Sequence, residues 1–227
     1  MFPNRRHFLA LTGAGLTFAS LSAGPASAAV ATRRYSVFLG RKQVGETSVS
    51  LRRSGLRVDA EIEVELHLNI LGLIRFDYTL SNRESWQGGV LQELQSRTDN
   101  NGTAEQVSAR RTGRGLEING SGYQGIVSGN PATTSYFTTD FLERSTWINT
   151  QNGKVITPSI GRLGPASFTT SEGDIPCTRY VIRGGVDIDL YYDREFEWMG
   201  SSFSIAGRTA RIAMSDRGGS LNRIWRG

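Results

Sequence analysis

Residues 56–68, "LRVDAEIEVELHL", alternate between apolar and polar without a break. Leu56, Val58, Ala60, Ile62, Val64, Leu66 and Leu68 fall on one parity, and Arg57, Asp59, Glu61, Glu63, Glu65 and His67 on the other. A helix would scatter these apolar groups around its circumference, whereas a strand points successive side chains to opposite faces. The segment therefore reads as one long strand with a single buried face. Burying each large side chain is worth about 1.5–3 kcal/mol, and a slip of one residue would expose the whole apolar set. The rest of the chain has to cover that face.

Weaker alternation on either side extends the same reading. Strands are expected at 35–40, 44–52, 73–86, 90–98, 103–111 and 116–119. In the C-terminal half they are expected at 153–160, 177–183, 186–192, 196–206 and 208–214. Turn signals separate them: Ser54-Gly55, Gln87-Gly88-Gly89, Asn100-Asn101-Gly102, Asn152-Gly153 and Gly184-Gly185. One region, 128–153, breaks the rhythm. Thr138 or Thr139 can cap a helix there, with Phe141, Leu142, Ser145 and Trp147 at helical spacing. The expected fold is mainly all-β: a single strongly curved antiparallel sheet or barrel-like meander, with one short helix near 139–148.

The N-terminus reads "MFPNRRHFLALTGAGLTFASLSAGPASAA". Arg5, Arg6, Phe8 and Leu9 fit a twin-arginine export signal. Ala26 and Ala28 bracket a small-residue cleavage site. The apolar run between them is too short and glycine-rich to span a bilayer of roughly 30 Å. The expected organisation is a signal peptide over 1–28, one β domain over 29–214 and a loosely held basic tail over 215–227. The expected location is the periplasm, or the exterior, after export. The export machinery is then a partner, and no permanent membrane span remains after cleavage.

Of 26 basic residues, removal of Arg5 and Arg6 leaves 24 against 21 acidic ones, which is too balanced to argue for nucleic acid. Gly120-Ser-Gly122-Tyr-Gln-Gly125 matches G-x-G-x-x-G formally. A dinucleotide loop needs a long helix after it, and Ile126 to Pro131 cannot form one, so the segment reads as a glycine-rich bend. Beyond the signal there is one histidine, His67, and one cysteine, Cys177. A Ser-His-Asp triad or a His/Cys zinc site therefore lacks members, and no metal site is expected. The acidic comb Asp59, Glu61, Glu63 and Glu65 points in parallel along one strand face, so it reads as a solvated face paired with Arg52, Arg75 or similar.

The stretches "ESWQGGVLQELQSRTDNNG" (84–102), "TQNGKV" (150–155) and "DLYYDREFEWMGSSF" (189–203), together with the export signal, resemble domain-of-unknown-function family 6134. Glu84, Trp86, Gly88, Gly89 and Leu91 carry the resemblance first. Thr98, Asn101 and Gly102 follow, and then Tyr191, Tyr192 and Asp193. Where Tyr191 stands the family more often has Trp. The resemblance implies an exported bacterial β-protein and brings no established activity.

Two functions fit these residues. A curved sheet with an apolar inner face can cradle an apolar or lipid-like small molecule. Trp86, Phe137, Trp147 and Tyr192, with Ile70, Leu71, Leu73 and Ile74, are candidates for its lining. The alternative is a hydrolase-like enzyme using the carboxylates Glu84 and Asp193, for which Asp193 as a turn cap is the competing role. The absence of known catalytic motifs weighs toward a non-catalytic binding or structural protein. No catalytic residue is assigned, and any cofactor is left unknown.

Overall fold

A computed structural model of the chain describes residues 28–70, 74–205 and 207–227. The candidate export residues Arg5, Arg6, Phe8 and Leu9, the cleavage-site Ala26, and Leu71 and Leu73 lie outside the described residues, as do the side chains of Ile70 and Ile74. In chain order, β1 (Ala29–Leu39), β2 (Lys42–Ser54), β3 (Arg57–Ile70), β4 (Ile74–Gln87), β5 (Val90–Asn100), β6 (Thr103–Thr112), β7 (Gly115–Gly120) and β8 (Gln124–Val127) form one antiparallel meander. An insert follows, with the short strands β9 (Ala132–Thr133), β10 (Trp147–Ile148) and β11 (Val155–Ile156). A second meander comprises β12 (Ser159–Thr170), β13 (Gly173–Arg183), β14 (Ile188–Tyr192), β15 (Trp198–Ile205) and β16 (Arg208–Asp216). The chain ends in a helix, α1 (Leu221–Arg226).

The two meanders join where β16 pairs antiparallel with β1, giving a 13-stranded sheet with the order β12-β13-β14-β15-β16-β1-β2-β3-β4-β5-β6-β7-β8. The sheet is curved and is not closed, and its free edges are β12 and β8. The insert forms a separate three-stranded sheet, β11-β10-β9.

The alternating segment behaves as its period demands. Strand β3 pairs with β4 over its full length, and Val58, Ala60, Ile62, Leu66 and Leu68 are buried. Leu56 departs from the pattern. It precedes the strand, is 64% exposed, and offers its carbonyl to the Gly88 amide across the neighbouring turn. The acidic comb also differs in its partners. Asp59 bonds Arg57 on its own strand at 2.9 Å, Glu61 meets Arg83 at 3.3 Å, and Glu63 accepts from the Ser81 hydroxyl. Arg75 binds Asp77, two residues along the same strand face, instead.

The strand expected at 153–160 is split: Val155–Ile156 form β11, and Ser159 and Ile160 begin β12, which runs on over residues expected to carry no strand. Gly161, Gly164 and Pro165 argue against a central strand, and β12 is an edge strand with a register shift between Arg162 and Gly164. Edges and bulges are where a sheet tolerates proline, which lacks a ladder donor. Pro176 on β13 sits opposite Ser167, beyond the stretch from Thr178 onward that pairs with β14.

The helix near 139–148 is a single 3-10 turn, Thr139–Glu143, capped by the Thr138 hydroxyl, which accepts from the Asp140 amide. It ends early because Trp147 is taken into β10. The insert places Phe137, Phe141, Trp147 and Ile148 in the main core, against Leu51, Leu91, Leu94 and Leu116 from the sheet.

The tail is not loosely held. Leu221, Ile224 and Trp225 of α1 are buried in the same core. Trp225 packs 5.4 Å from both Trp86 and Phe137, and its indole nitrogen donates to Asp140. The Gly218-Gly219 pair makes the approach possible. A Cβ at Gly218 would collide with the Thr32 carbonyl oxygen, and one at Gly219 would lie 2.7 Å from the Ala31 Cβ.

Candidate functional site

The alternation of β4 puts Phe76, Tyr78, Leu80, Asn82, Glu84 and Trp86 on the inner face. Two polar residues thereby enter an otherwise apolar layer. Glu84 is 3% exposed and has no cation on its carboxylate. Four neutral donors hold it instead. One carboxylate oxygen accepts from the Asn82 amide at 2.8 Å and from the Ser135 hydroxyl at 2.5 Å. The other accepts from the Trp86 indole at 2.9 Å and from Thr133 at 3.2 Å. Burial pushes the Glu84 carboxyl above its ordinary range, and the hydrogen bonds from Ser135, Asn82, Trp86 and Thr133 oppose that rise.

Ser135 is the link from this buried cluster to open space. It lines a cavity of about 390 Å³ between the inner face of the sheet and the insert. The sheet side is mostly apolar, with Val49, Ile62, Val64, Leu66, Leu80 and Ile212, and adds Thr47 and Asn100. The insert side is polar, with Thr134, Ser135, Asn149, Thr150 and Gln151. No Asp, Glu, Lys, Arg or His is among the described residues that line it. Tyr78 and Tyr136 line it too. Burial pushes the Tyr78 phenol up to about 12 and raises Tyr136 as well, so both remain neutral. The cavity lies where a small cluster of Val37, Val44, Leu66 and Leu68 meets the main core.

The polar wall is anchored from behind. The Gln151 amide donates to Glu105, as does Asn152 at 3.1 Å, and Tyr78 donates to the Gln151 carbonyl oxygen at 3.4 Å. The glycine-rich bend docks on the same turn. The Gly122 amide donates to the Asn152 carbonyl, and a Cβ at Gly120 would come within 2.5 Å of that oxygen. The segment that matches G-x-G-x-x-G is thus a β7–β8 hairpin bend buttressing the cavity wall.

The structure does not bring Glu84 and Asp193 into one cleft. Asp193 caps its own turn, accepting from the Glu195 and Glu197 amides at 2.9 and 3.0 Å. Trp86, Phe137, Trp147 and Tyr192 are at most 1% exposed and pack into the core; none of them lines the cavity. Trp86 and Phe137 share the aromatic cluster of Phe141 and Trp225. Tyr192 donates to the Tyr136 carbonyl at 2.8 Å. His67 is on the surface between Glu65 and Asp77, each 2.9 Å from a ring nitrogen, and these carboxylates raise its pKa. Cys177 is buried, and burial pushes its thiol up to about 11. Among the described residues no cluster of three or more His, Cys, Asp or Glu could hold a metal ion, and no helix is long and apolar enough to cross a membrane.

Sequence reasoning missed the cavity wall and a second buried ionic cluster. Arg33 and Glu197, each 2% exposed, pair at 3.4 Å, and Arg33 also donates to the Gly219 carbonyl. Glu197 in turn accepts from the Ser220 hydroxyl and the Asn222 amide at the start of α1. Parity was the available signal for the inward charge of Arg33. Arg33 shares a face with Ala31, Tyr35 and Val37, as Glu84 does with Leu80 and Trp86.

The match to the family profile of Domain of unknown function (DUF6134) spans residues 35–215, which is most of the sheet and the whole cavity. The chain belongs to that family. No curated protein matches the sequence. Among solved structures, it is similar to a beta-barrel-like protein of domain-of-unknown-function family DUF1849 from Brucella abortus. The TM-score is 0.61 at 7% sequence identity, covering 82% of this chain and 96% of that one. At that identity the likeness concerns the fold alone.

Proposed function

We propose that this DUF6134 protein is a non-catalytic binder of an apolar, lipid-like small molecule, exported by the twin-arginine route and active in the periplasm. The cavity of about 390 Å³ carries the reading, with its continuous apolar wall of Val49, Ile62, Val64, Leu66, Leu80 and Ile212. Protein interiors are normally packed to crystal density, so a space of this size beside a core is a feature to be accounted for. It falls at the lower end of the roughly 300–1,000 Å³ of ligand pockets, enough for one chain or a compact apolar molecule. The export signal at Arg5 and Arg6 and the small-residue site ending at Ala28 support the location. The carboxylate-enzyme reading has less support, because Asp193 is occupied by two turn amides and Glu84 by four donors.

Titration with N-phenylnaphthylamine, a neutral apolar dye that brightens in dry pockets, tests this. Saturable binding is expected in the wild type. Ile212→Trp, which fills the cavity, is expected to weaken it by roughly tenfold or more, about 1.4 kcal/mol. Absence of saturable binding, or dye binding that ignores Ile212→Trp in a folded variant, would sink the reading.

A further inference from the structure

We propose that the cavity selects an apolar chain with a neutral, hydrogen-bonding head, such as an alcohol, and rejects chains ending in a carboxylate. This rests on the cavity being a ligand site, as proposed above, and adds the class of head group it takes.

An alcohol can donate and accept, an ester can only accept, and a carboxylate accepts and carries charge. On the polar wall some donors are turned away from the cavity, while the side-chain N–H groups of Asn100 and Asn149 and the Tyr136 hydroxyl line it with no acceptor among the described residues. The Ser135 hydroxyl donates to Glu84 and its oxygen accepts from Asn82. The Gln151 amide donates to Glu105, and the Tyr78 hydroxyl donates to Gln151. The Thr150 amide donates to the Thr134 hydroxyl oxygen, which shares a further hydrogen bond with Thr150. The oxygens of Ser135 and Tyr78 keep lone pairs for a guest, so the wall offers a neutral head group acceptors as well as donors.

Charge points the same way. No cation lines the cavity among the described residues, so a bound carboxylate would be desolvated without a partner, which is strongly unfavourable. One carboxylate, Glu105, stands one hydrogen bond behind the wall and adds a repulsive field. A head group that hydrogen-bonds without charge meets neither penalty.

Three ligands of one chain length separate these effects: dodecanol, methyl dodecanoate and dodecanoate, each competed against N-phenylnaphthylamine on the full chain at about pH 8, where the acid is ionised. The expected order puts the two neutral ligands ahead of dodecanoate, which should bind more weakly than dodecanol by about tenfold or more. Dodecanoate binding as tightly as dodecanol or the ester would overturn the inference. In that case saturable dye binding would leave the ligand site standing. If the dye itself does not bind, the site and its selectivity fall together.

Discussion

At Glu84, burial and hydrogen bonding oppose each other. Burial favours the neutral acid, while four donors favour the carboxylate, and burial wins. An acid whose folded pKa is raised contributes stability that is present below the ordinary pKa of 4.5 and is lost as pH rises through the folded value. Glu84→Gln removes that titration. The unfolding free energy of wild type relative to Glu84→Gln should therefore fall as pH rises from about 4 to about 8, read by urea denaturation at each pH. A difference that stays flat across the range would mean that the carboxyl titrates as in an unfolded chain. The position of Glu84 was legible in principle, because Tyr78, Leu80 and Trp86 fix the inward parity of β4. What that parity does not reveal is the partner set. Thr133 and Ser135 lie about fifty residues along the chain, and only the docking of the insert brings their hydroxyls to the carboxylate. The same holds for Arg33, whose inward parity is plain but whose partner Glu197 is supplied by the opposite end of the sequence.

Among elements, the long strands were the most legible and the short ones the least. Strand β3 declares itself by thirteen alternating residues, whereas β9, β10 and β11 are two residues each, too short to carry a period. Strand β12 was hidden by glycines and a proline that an edge position tolerates. Helix α1 was hidden because six residues of "LNRIWR" look like a frayed basic end. Its hold is packing: Leu221, Ile224 and Trp225 are buried, the Ser220 hydroxyl caps it by accepting from the Arg223 amide, and Arg53 donates to the Ile224 and Trp225 carbonyls. Trp225→Ala should accordingly destabilise the protein by about 3–5 kcal/mol in chemical denaturation, the usual cost of truncating a large buried aromatic. A change below about 0.5 kcal/mol would return the tail to the class of free surface segments.

For the whole molecule, an all-β antiparallel architecture was legible from turn spacing and alternation alone. How the sheet is ordered was not. Local patterns fix which residues face inward, but the joining of β16 to β1 couples residues more than 170 positions apart, such as Val37 and Ile212. The cavity was hidden for the same reason, since its apolar wall and its polar wall come from different parts of the chain. Sheet order also predicts a gradient of stability. Amides of β1 and β16, paired on both sides at the centre, should exchange with solvent most slowly, and those of the edge strands β8 and β12 fastest. Hydrogen–deuterium exchange read by mass spectrometry gives the order directly, and equal protection across the sheet would contradict it.

The neighbouring of β1 and β16 has a consequence for how the protein is made. Strand β1 has β2 on one side, but the strand for its other side, β16, is synthesised more than 170 residues later. Until then β1 presents a free row of backbone donors and acceptors, a template for pairing with other chains. Completion of the sheet must therefore wait until β16 has emerged, and contacts of such long sequence separation form slowly. A nascent chain of this kind spends its early life in need of shelter, and a ribosome that stalls before β16 releases a product with an open seam through the centre of its sheet.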